Sequence, residues 1–400
     1  MIKNKIQFLR YIGPGIITAA LIFGPGSLII TSKLGSSFQY SLLWIVVFST
    51  FFMILFTIMS AKIGLATDRP IMQIINQKYG RLSSTLLGIC IGGVTVSFQT
   101  GNAIGAGLAV GGLFGKGTVP WIVFFSLIAI FLLFFRSFYK ILERIMILMV
   151  LIMILSFLIT LLISDPQWST VLQGFIPLIP KGSEFLSIAL VATSFSLVGA
   201  FFQSYLVRQK KWRIEDRVLC IREGISGIVI LGIISSLVLI TAGTVLYNRG
   251  IEVRTAAELG LVLEPLFGSF AYGIFMLGLF AASFSSLIGN ATLGGTILAD
   301  TFSFSTDLRT RKVRVLIMLI IATGATIAVT FRQFGIELIV MAQAFTVLLA
   351  PFVGLVIFLF SNDANEMGPL KNGPVVRIAG GVGLGLLILL ALANAYMMIF

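Results

Sequence analysis

Gly24-Pro25-Gly26-Ser27 falls inside an apolar run, and its residue types open the backbone where a plain helix would keep it closed. Pro25 has no N–H to donate and the two glycines permit non-helical turns, so a helix passing through this stretch breaks. A broken helix offers unpaired N–H groups from one half to an anionic group, and unwound carbonyls to a cation. A second apolar run holds Thr193-Ser194-Phe195-Ser196 with Gly199 beyond it, hydroxyls and a flexible position without a proline. Three amides, Gln99, Asn102 and Gln343, stand in other apolar runs. The candidate binding residues at the interruptions themselves are Gly24, Ser27, Thr193, Ser194 and Ser196, with Pro25, Gly26 and Gly199 as the residues that break the helices. Every group in that set is neutral, suited to hydrogen-bonding the waters of a hydrated ion or the polar atoms of an organic solute. Ser285 and Ser286 facing carbonyls at the first break would have the composition of a sodium site.

What the chain lacks narrows the chemistry further. It has no histidine, which removes a common proton carrier and transition-metal ligand together. Cys90 and Cys220 show no metal-ligand spacing and make no disulfide framework. Of the fifteen acidic residues, those nearest membrane depth are Glu143, Glu223, Asp300 and Glu337, all close to span ends. No intact metal site, no catalytic constellation and no cofactor motif follows from these residues, so the reading is not an enzyme. The competing account of the amides is structural, because an amide bonding across membrane helices is worth roughly 0.6–2 kcal/mol by itself.

The elements that must hold these residues are membrane helices. Of 400 residues 58% are hydrophobic and 11% charged, with a mean hydropathy of +1.07, a balance that fits the bilayer as solvent. Apolar runs long enough to cross a core of roughly 30 Å lie near 12–35, 41–61, 83–114, 119–135, 145–164, 185–207, 224–248, 265–299, 313–331, 336–360 and 378–400. The first has no cleavage site ahead of a soluble domain and reads as a retained span. The net charge of +13 could suggest nucleic acid, but its placement argues for topology. Of the 28 Lys and Arg, all but Lys33, Lys116, Lys181, Arg249, Arg254 and Arg332 fall in alternate loops. The positive-inside rule then puts the N-terminus in the cytoplasm and Phe400 outside, in a multi-pass protein of the cytoplasmic membrane. The cluster from Arg208 to Arg222 reads as a topology determinant at the cytoplasmic surface, within reach of anionic headgroups.

Interrupted helices in the first and sixth spans point to an inverted repeat with the binding site where the breaks meet. The repeats would be 1–164 and 165–360, with 361–400 as an added eleventh helix. The expected fold is all-α, a broken-helix transporter of about eleven spans.

The order and spacing of several segments resemble the Nramp family of divalent-metal transporters. They are Arg10-Tyr11-Ile12-Gly13-Pro14-Gly15, Leu142-Glu143-Arg144, Ile176-Pro177-Leu178-Ile179-Pro180, Gly278-Leu279-Phe280-Ala281-Ala282 with Ser285-Ser286, and Gln343 through Pro351-Phe352. The resemblance implies the broken-helix (LeuT-like) fold first seen in bacterial amino-acid symporters. Family members bind their ion with Asp-Pro-Gly-Asn in the first span and Met-Pro-His in the sixth. Here Gly24-Pro25-Gly26-Ser27 keeps the first break without either side-chain ligand, and Ser194 to Gly199 holds no Met, Pro or His. The two acidic positions of proton-coupled members fall on Gln99 and Asn102, so a proton relay has nothing to titrate; with Gln343, these amides join the candidate binding residues as what the resemblance implies. Nramp-related magnesium transporters, a branch with a roomier site, have also dropped proton coupling.

Three functional readings follow. The first is a weak, proton-independent pathway for a divalent cation such as Mg²⁺ or Mn²⁺, the ion keeping part of its water because neutral dipoles alone recover its dehydration cost poorly. The second is a carrier of a small neutral or zwitterionic organic solute coupled to sodium, in a pocket where Gly101, Gly105 and Gly107 make room. The third is a sensor or subunit that transports nothing. In all three the partners are the lipid bilayer and a small solute or cation, and no nucleic acid.

Overall fold

The computed structural model describes residues 23–67, 69–115 and 117–399, and of residues 136–140 the backbone alone. The first half of the first span and the segment from Arg10 to Gly15 lie outside the described residues. Among the described residues the chain is helical without strands. The helices are α1 (Pro25–Phe38), α2 (Leu43–Ala66), α3 (Ile71–Phe114), α4 (Thr118–Leu132), α5 (Arg136–Ile163), α6 (Glu184–Ser194), α7 (Leu197–Gln209), α8 (Arg217–Val245), α9 (Ala271–Thr301), α10 (Arg311–Thr330), α11 (Ile336–Ser361) and α12 (Pro374–Ile399). Among the described residues nine helical segments, counting α6 and α7 as one, are long and apolar enough to cross a membrane. The shorter α4 and the half-span α1 complete the expected order.

Lipid and protein faces separate along these helices. On α5, Leu148, Ile152 and Leu155 are exposed, and on α12 Leu389, Leu392 and Tyr396 are, while Val150, Met153 and Phe157 on the other side of α5 are buried. Apolar side chains on the outer surface are stable where hydrocarbon is the solvent, so the fold is that of a multi-pass membrane protein.

Helix α3 is the central pillar, packed along α9, α11 and α10. Its amphipathic first turns join the spanning part at Gly80, whose φ of 82° and ψ of 165° interrupt the helix in a conformation open to glycine. Small residues let backbones approach, as is usual between membrane helices. A Cβ at Gly35 of α1 would sit 2.4 Å from the Leu239 carbonyl oxygen of α8, and one at Gly294 of α9 would sit 2.3 Å from the Thr95 side chain of α3. Helix α1 also packs on α3, α6, α9 and α11. That arrangement brings the two broken spans into contact and surrounds the first break with continuous helices.

Candidate substrate site at the two helix breaks

Helix α1 begins at Pro25, with Gly24 as its extended cap at φ −93° and ψ −179°. The chain before it, Phe23 and Gly24, is not helical. The N–H groups of Gly26 and Ser27 in this first turn have no intrahelical carbonyl to reach; that of Leu28 donates to the Gly24 carbonyl at 3.3 Å. In the sixth span α6 ends at Ser194, and the chain turns through Phe195 (φ −117°, ψ 63°) and Ser196 (φ −77°, ψ 94°) before α7 starts at Leu197. The last N–H of α6 comes from Phe195 and donates to the Val191 carbonyl at 2.7 Å. The sixth span is therefore broken at Phe195-Ser196, and in the first span the described helix starts at Pro25 after two non-helical residues. Gly199, expected at that break, instead lies in the first turn of α7. A Cβ there would make only ordinary contacts, 3.4 Å from Ser196 Oγ and 3.6 Å from Met53 Cε.

Four helices converge on the first break. A Cβ built on Gly24 would point 3.2 Å from Ser286 Oγ of α9 and 3.5 Å from Asn102 Oδ1 of α3. One on Gly26 would meet the Gln343 side chain of α11 at 2.3 Å, so the amide lies directly across that glycine. Gln343 Nε2 is also 3.9 Å from the Cβ direction of Gly101. Gln343 Oε1 is buried and has no hydrogen-bond partner among the described residues, an acceptor left open where the helices meet. Ser27 is buried one position further along α1, and its carbonyl accepts from the Thr31 hydroxyl at 2.6 Å.

The remaining sequence candidates divide between the breaks and the helix packing. Gln99, fully buried, donates from Nε2 to the Leu287 carbonyl at 2.9 Å, and its Oε1 is 3.5 Å from Asn290 Nδ2. Its amide is thus committed to α9, and its Cβ packs against Gly324 of α10. Asn290, which also donates to the Thr95 carbonyl at 3.0 Å, was not among the sequence candidates, although a lone amide in the eighth span was the available signal. Thr193 turns its hydroxyl onto the Leu190 carbonyl at 3.0 Å, while Ser194 Oγ is buried with no partner among the described residues. Ser285 donates to the Ala282 carbonyl at 3.2 Å, within its own helix; its neighbour Ser286 makes the contact with the break.

A small, partly open cleft with room for about one water molecule adjoins the second break. Phe195 and Ser196 of the break line it with Phe98 of α3, Thr346 and Val347 of α11 and Leu387 of α12. Phe98 stands four residues before Asn102 and Thr346 three residues after Gln343, so each pair shares a helix face. The hydroxyl of Ser97 donates to the Ala342 carbonyl at 2.6 Å, tying α3 to α11 beside these residues. The same two helices therefore flank both breaks, presenting amides at the first and apolar side chains at the second. Phe195, Phe98 and Thr346 were not singled out from the sequence because aromatic and hydroxyl residues are ordinary in membrane helices.

Charged groups lie toward the helix ends. Lys33 of α1, 8% exposed, pairs with Glu337 in the first turn of α11. Of the four acids noted above, Asp300 alone is fully buried; its Oδ2 accepts from the Tyr205 hydroxyl at 2.6 Å and the Met72 N–H at 3.2 Å. It thereby caps the N-terminus of α3, where both an unpaired donor and the helix dipole favour a carboxylate. Among the described residues no group of three His, Cys, Asp or Glu could hold a metal ion.

A sixth span interrupted at Phe195-Ser196, packed with the helix that starts at Gly24-Pro25 and with continuous helices around them, is the arrangement of the broken-helix transporter class. The family of natural resistance-associated macrophage protein-like proteins, Nramp, matches residues 15–398. The chain belongs to the Nramp family. It is 23% identical over 428 residues to the divalent metal cation transporter MntH of Staphylococcus aureus, covering 99% of this chain and 92% of that protein. The manganese transporter of Eremococcus coleocola superposes with a TM-score of 0.74 at 22% identity, covering 96% of this chain and 86% of that one. MhsT in complex with L-phenylalanine shares the fold at a TM-score of 0.61 and 15% identity, over 94% of this chain and 98% of that one.

Proposed function

We propose that this protein carries a divalent cation across the cytoplasmic membrane through a neutral site at the first helix break, and that it does so without moving protons. The observation carrying the reading is the convergence of Asn102, Ser286 and Gln343 on Gly24 and Gly26, with Gln343 Oε1 buried and without a partner among the described residues. The oxygens of Asn102 and Ser286, the Gln343 amide, whose Nε2 is the atom nearest Gly26, and unwound backbone supply dipoles and no charge. An ion held so weakly keeps part of its own coordination shell, which suits Mg²⁺ and gives Mn²⁺ no thioether to prefer. The Nramp family and the MntH relatives, named as divalent metal cation transporters, support the cargo class.

Proton coupling has no group to use at the centre, because the family's acidic positions fall on Gln99 and Asn102. Transport proceeds by rocking of one helix bundle against the other around the breaks, with 1–164 and 165–360 as the repeats and 361–400 added. The N-terminus is cytoplasmic and the C-terminus outside, as the basic loops require. The test is uptake of Mn²⁺ and Mg²⁺ into proteoliposomes with internal pH followed in the same vesicles. Saturable uptake of both ions at constant pH is expected. Acidification in step with metal entry would overturn the proton-free reading, and no uptake by folded, inserted protein would overturn the cation reading.

A further inference from the structure

We infer that the end of α2, the start of α8 and the chain leading into α12 form a binding site for the phosphate headgroup of an anionic phospholipid, with Lys62 as its buried cation. The inference goes beyond the cation reading and holds whatever the two breaks carry.

Two lysines are buried among the described residues, Lys33 and Lys62, at 8% and 7% exposed. Lys33 has Glu337 for a counter-ion. Lys62, about one turn before the end of α2, has a neutral partner instead: its Nζ donates to Asn372 Oδ1 at 3.3 Å, long for a hydrogen bond. Asn372 is fixed in that place, because its N–H donates to the Ser361 carbonyl at 3.1 Å and its Nδ2 to Ser361 Oγ at 2.9 Å. An ammonium carries three donors, so a single long bond to an amide leaves most of its need unmet. The charged group that acts on Lys62 is another cation, Arg217, the first residue of α8. Arg217 and Lys371, the residue before Asn372, are both exposed. None of the ion pairs among the described residues includes Lys62, Arg217 or Lys371. A buried charge beside a like charge is costly unless an anion joins them.

The surroundings of the three cations select the source of that anion. They lie at the ends of spanning helices, the level of lipid headgroups. Apolar side chains follow each exposed cation and are themselves exposed: Val218 and Leu219 after Arg217, Val375 and Ile378 after Lys371. In a bilayer these side chains meet acyl chains, while the cations beside them meet phosphate. A guanidinium and an ammonium both donate charge-assisted bonds to phosphate oxygens. A soluble phosphate would use the cations alone and leave the apolar surface unmatched. The bound headgroup offsets the repulsion between Lys62 and Arg217 and ties α2, α8 and the approach to α12 together.

The experiment is native mass spectrometry of the full chain, delipidated in detergent and titrated with phosphatidylglycerol or with phosphatidylcholine of the same acyl chains. The first phosphatidylglycerol should bind roughly tenfold more tightly than phosphatidylcholine. Lys62→Met, which keeps the side-chain length and removes the charge, should abolish that preference. Arg217→Gln, at an exposed position, should reduce it roughly threefold and decides the matter should Lys62→Met not fold. Arg309→Gln, exposed in another basic loop, should leave it intact, and glycerol 3-phosphate at matched concentration should not displace the lipid. Equal binding of the two lipids, or a preference undiminished in the folded variants, would overturn the inference. An equal loss with Arg309→Gln would reduce the effect to general surface charge and overturn it as well. Displacement by glycerol 3-phosphate would overturn the lipid as the source and assign the cations to a soluble phosphate.

Discussion

Gly24→Asp restores to the first break the charge that the neutral site lacks, and its effect can be worked from the geometry. The extended backbone at φ −93° accepts an L side chain. Its Cβ would lie 3.2 Å from Ser286 Oγ and 3.5 Å from Asn102 Oδ1, so the serine hydroxyl must yield by a few tenths of an ångström. The carboxylate then sits among the oxygens proposed to hold the ion. At 4 Å and an effective dielectric of about 20, each unit charge contributes about 4 kcal/mol, and a dication doubles it. Desolvating the new carboxylate takes back several kcal/mol. A net gain of about 1.4–4 kcal/mol remains, so Mn²⁺ should bind roughly ten- to a thousandfold more tightly. The empty variant buries an unpaired carboxylate and should melt lower than the parent in detergent, with Mn²⁺ raising its melting temperature by mass action. Calorimetric titration with Mn²⁺ reads the affinity directly. An unchanged dissociation constant in folded protein would refute the reasoning, because it would mean that Asn102, Ser286 and Gln343 do not surround the ion.

Three further outcomes are expected. Adding Phe195→Met to Gly24→Asp puts a thioether at the second break, and the double variant should discriminate Mn²⁺ from Mg²⁺ more strongly than Gly24→Asp alone in competition binding; equal discrimination would separate Phe195 from the ion. Gly26→Ala forces its new methyl against Gln343, an overpacking cost of about 1–3 kcal/mol, and Gln343→Ala in the same chain should recover most of that loss in a detergent melt. Gln99→Leu should cost roughly 0.6–2 kcal/mol of stability through its lost bonds to α9 and leave Mn²⁺ affinity unchanged; weaker binding at full stability would return Gln99 to the substrate site.

Much of the architecture is legible along the chain because its causes are local. A run of apolar residues spans the bilayer wherever it sits in the fold, and the runs read from the sequence match the described helices within a few residues at most ends. The first break is legible at Gly24-Pro25 for the same reason: a missing donor and a missing Cβ act on their own backbone. The second break was located only to a stretch, since Phe195 and Ser196 are not helix breakers. Gly199 carries a flexibility signal but lies inside α7, where a Cβ would meet its neighbours at ordinary van der Waals distance.

The roles of the amides were settled by tertiary packing. Gln99 and Asn102 are three residues apart on one helix and equally polar, so composition cannot separate them. The structure turns Gln99 onto the Leu287 carbonyl and Asn290 of α9, and brings Asn102 to Gly24. Which partner each meets depends on how α9 and α1 are rotated and shifted against α3, a property of several helices packed at once. The same holds for Gln343, which reaches Gly26 across more than three hundred residues of chain. By itself the sequence determined the solvent, the spans and the absence of charge at the centre of the protein, because hydropathy and side-chain chemistry belong to each residue. Only the tertiary structure decided that these neutral groups meet at one break and apolar ones at the other, because the neighbours of a helix face are chosen by packing.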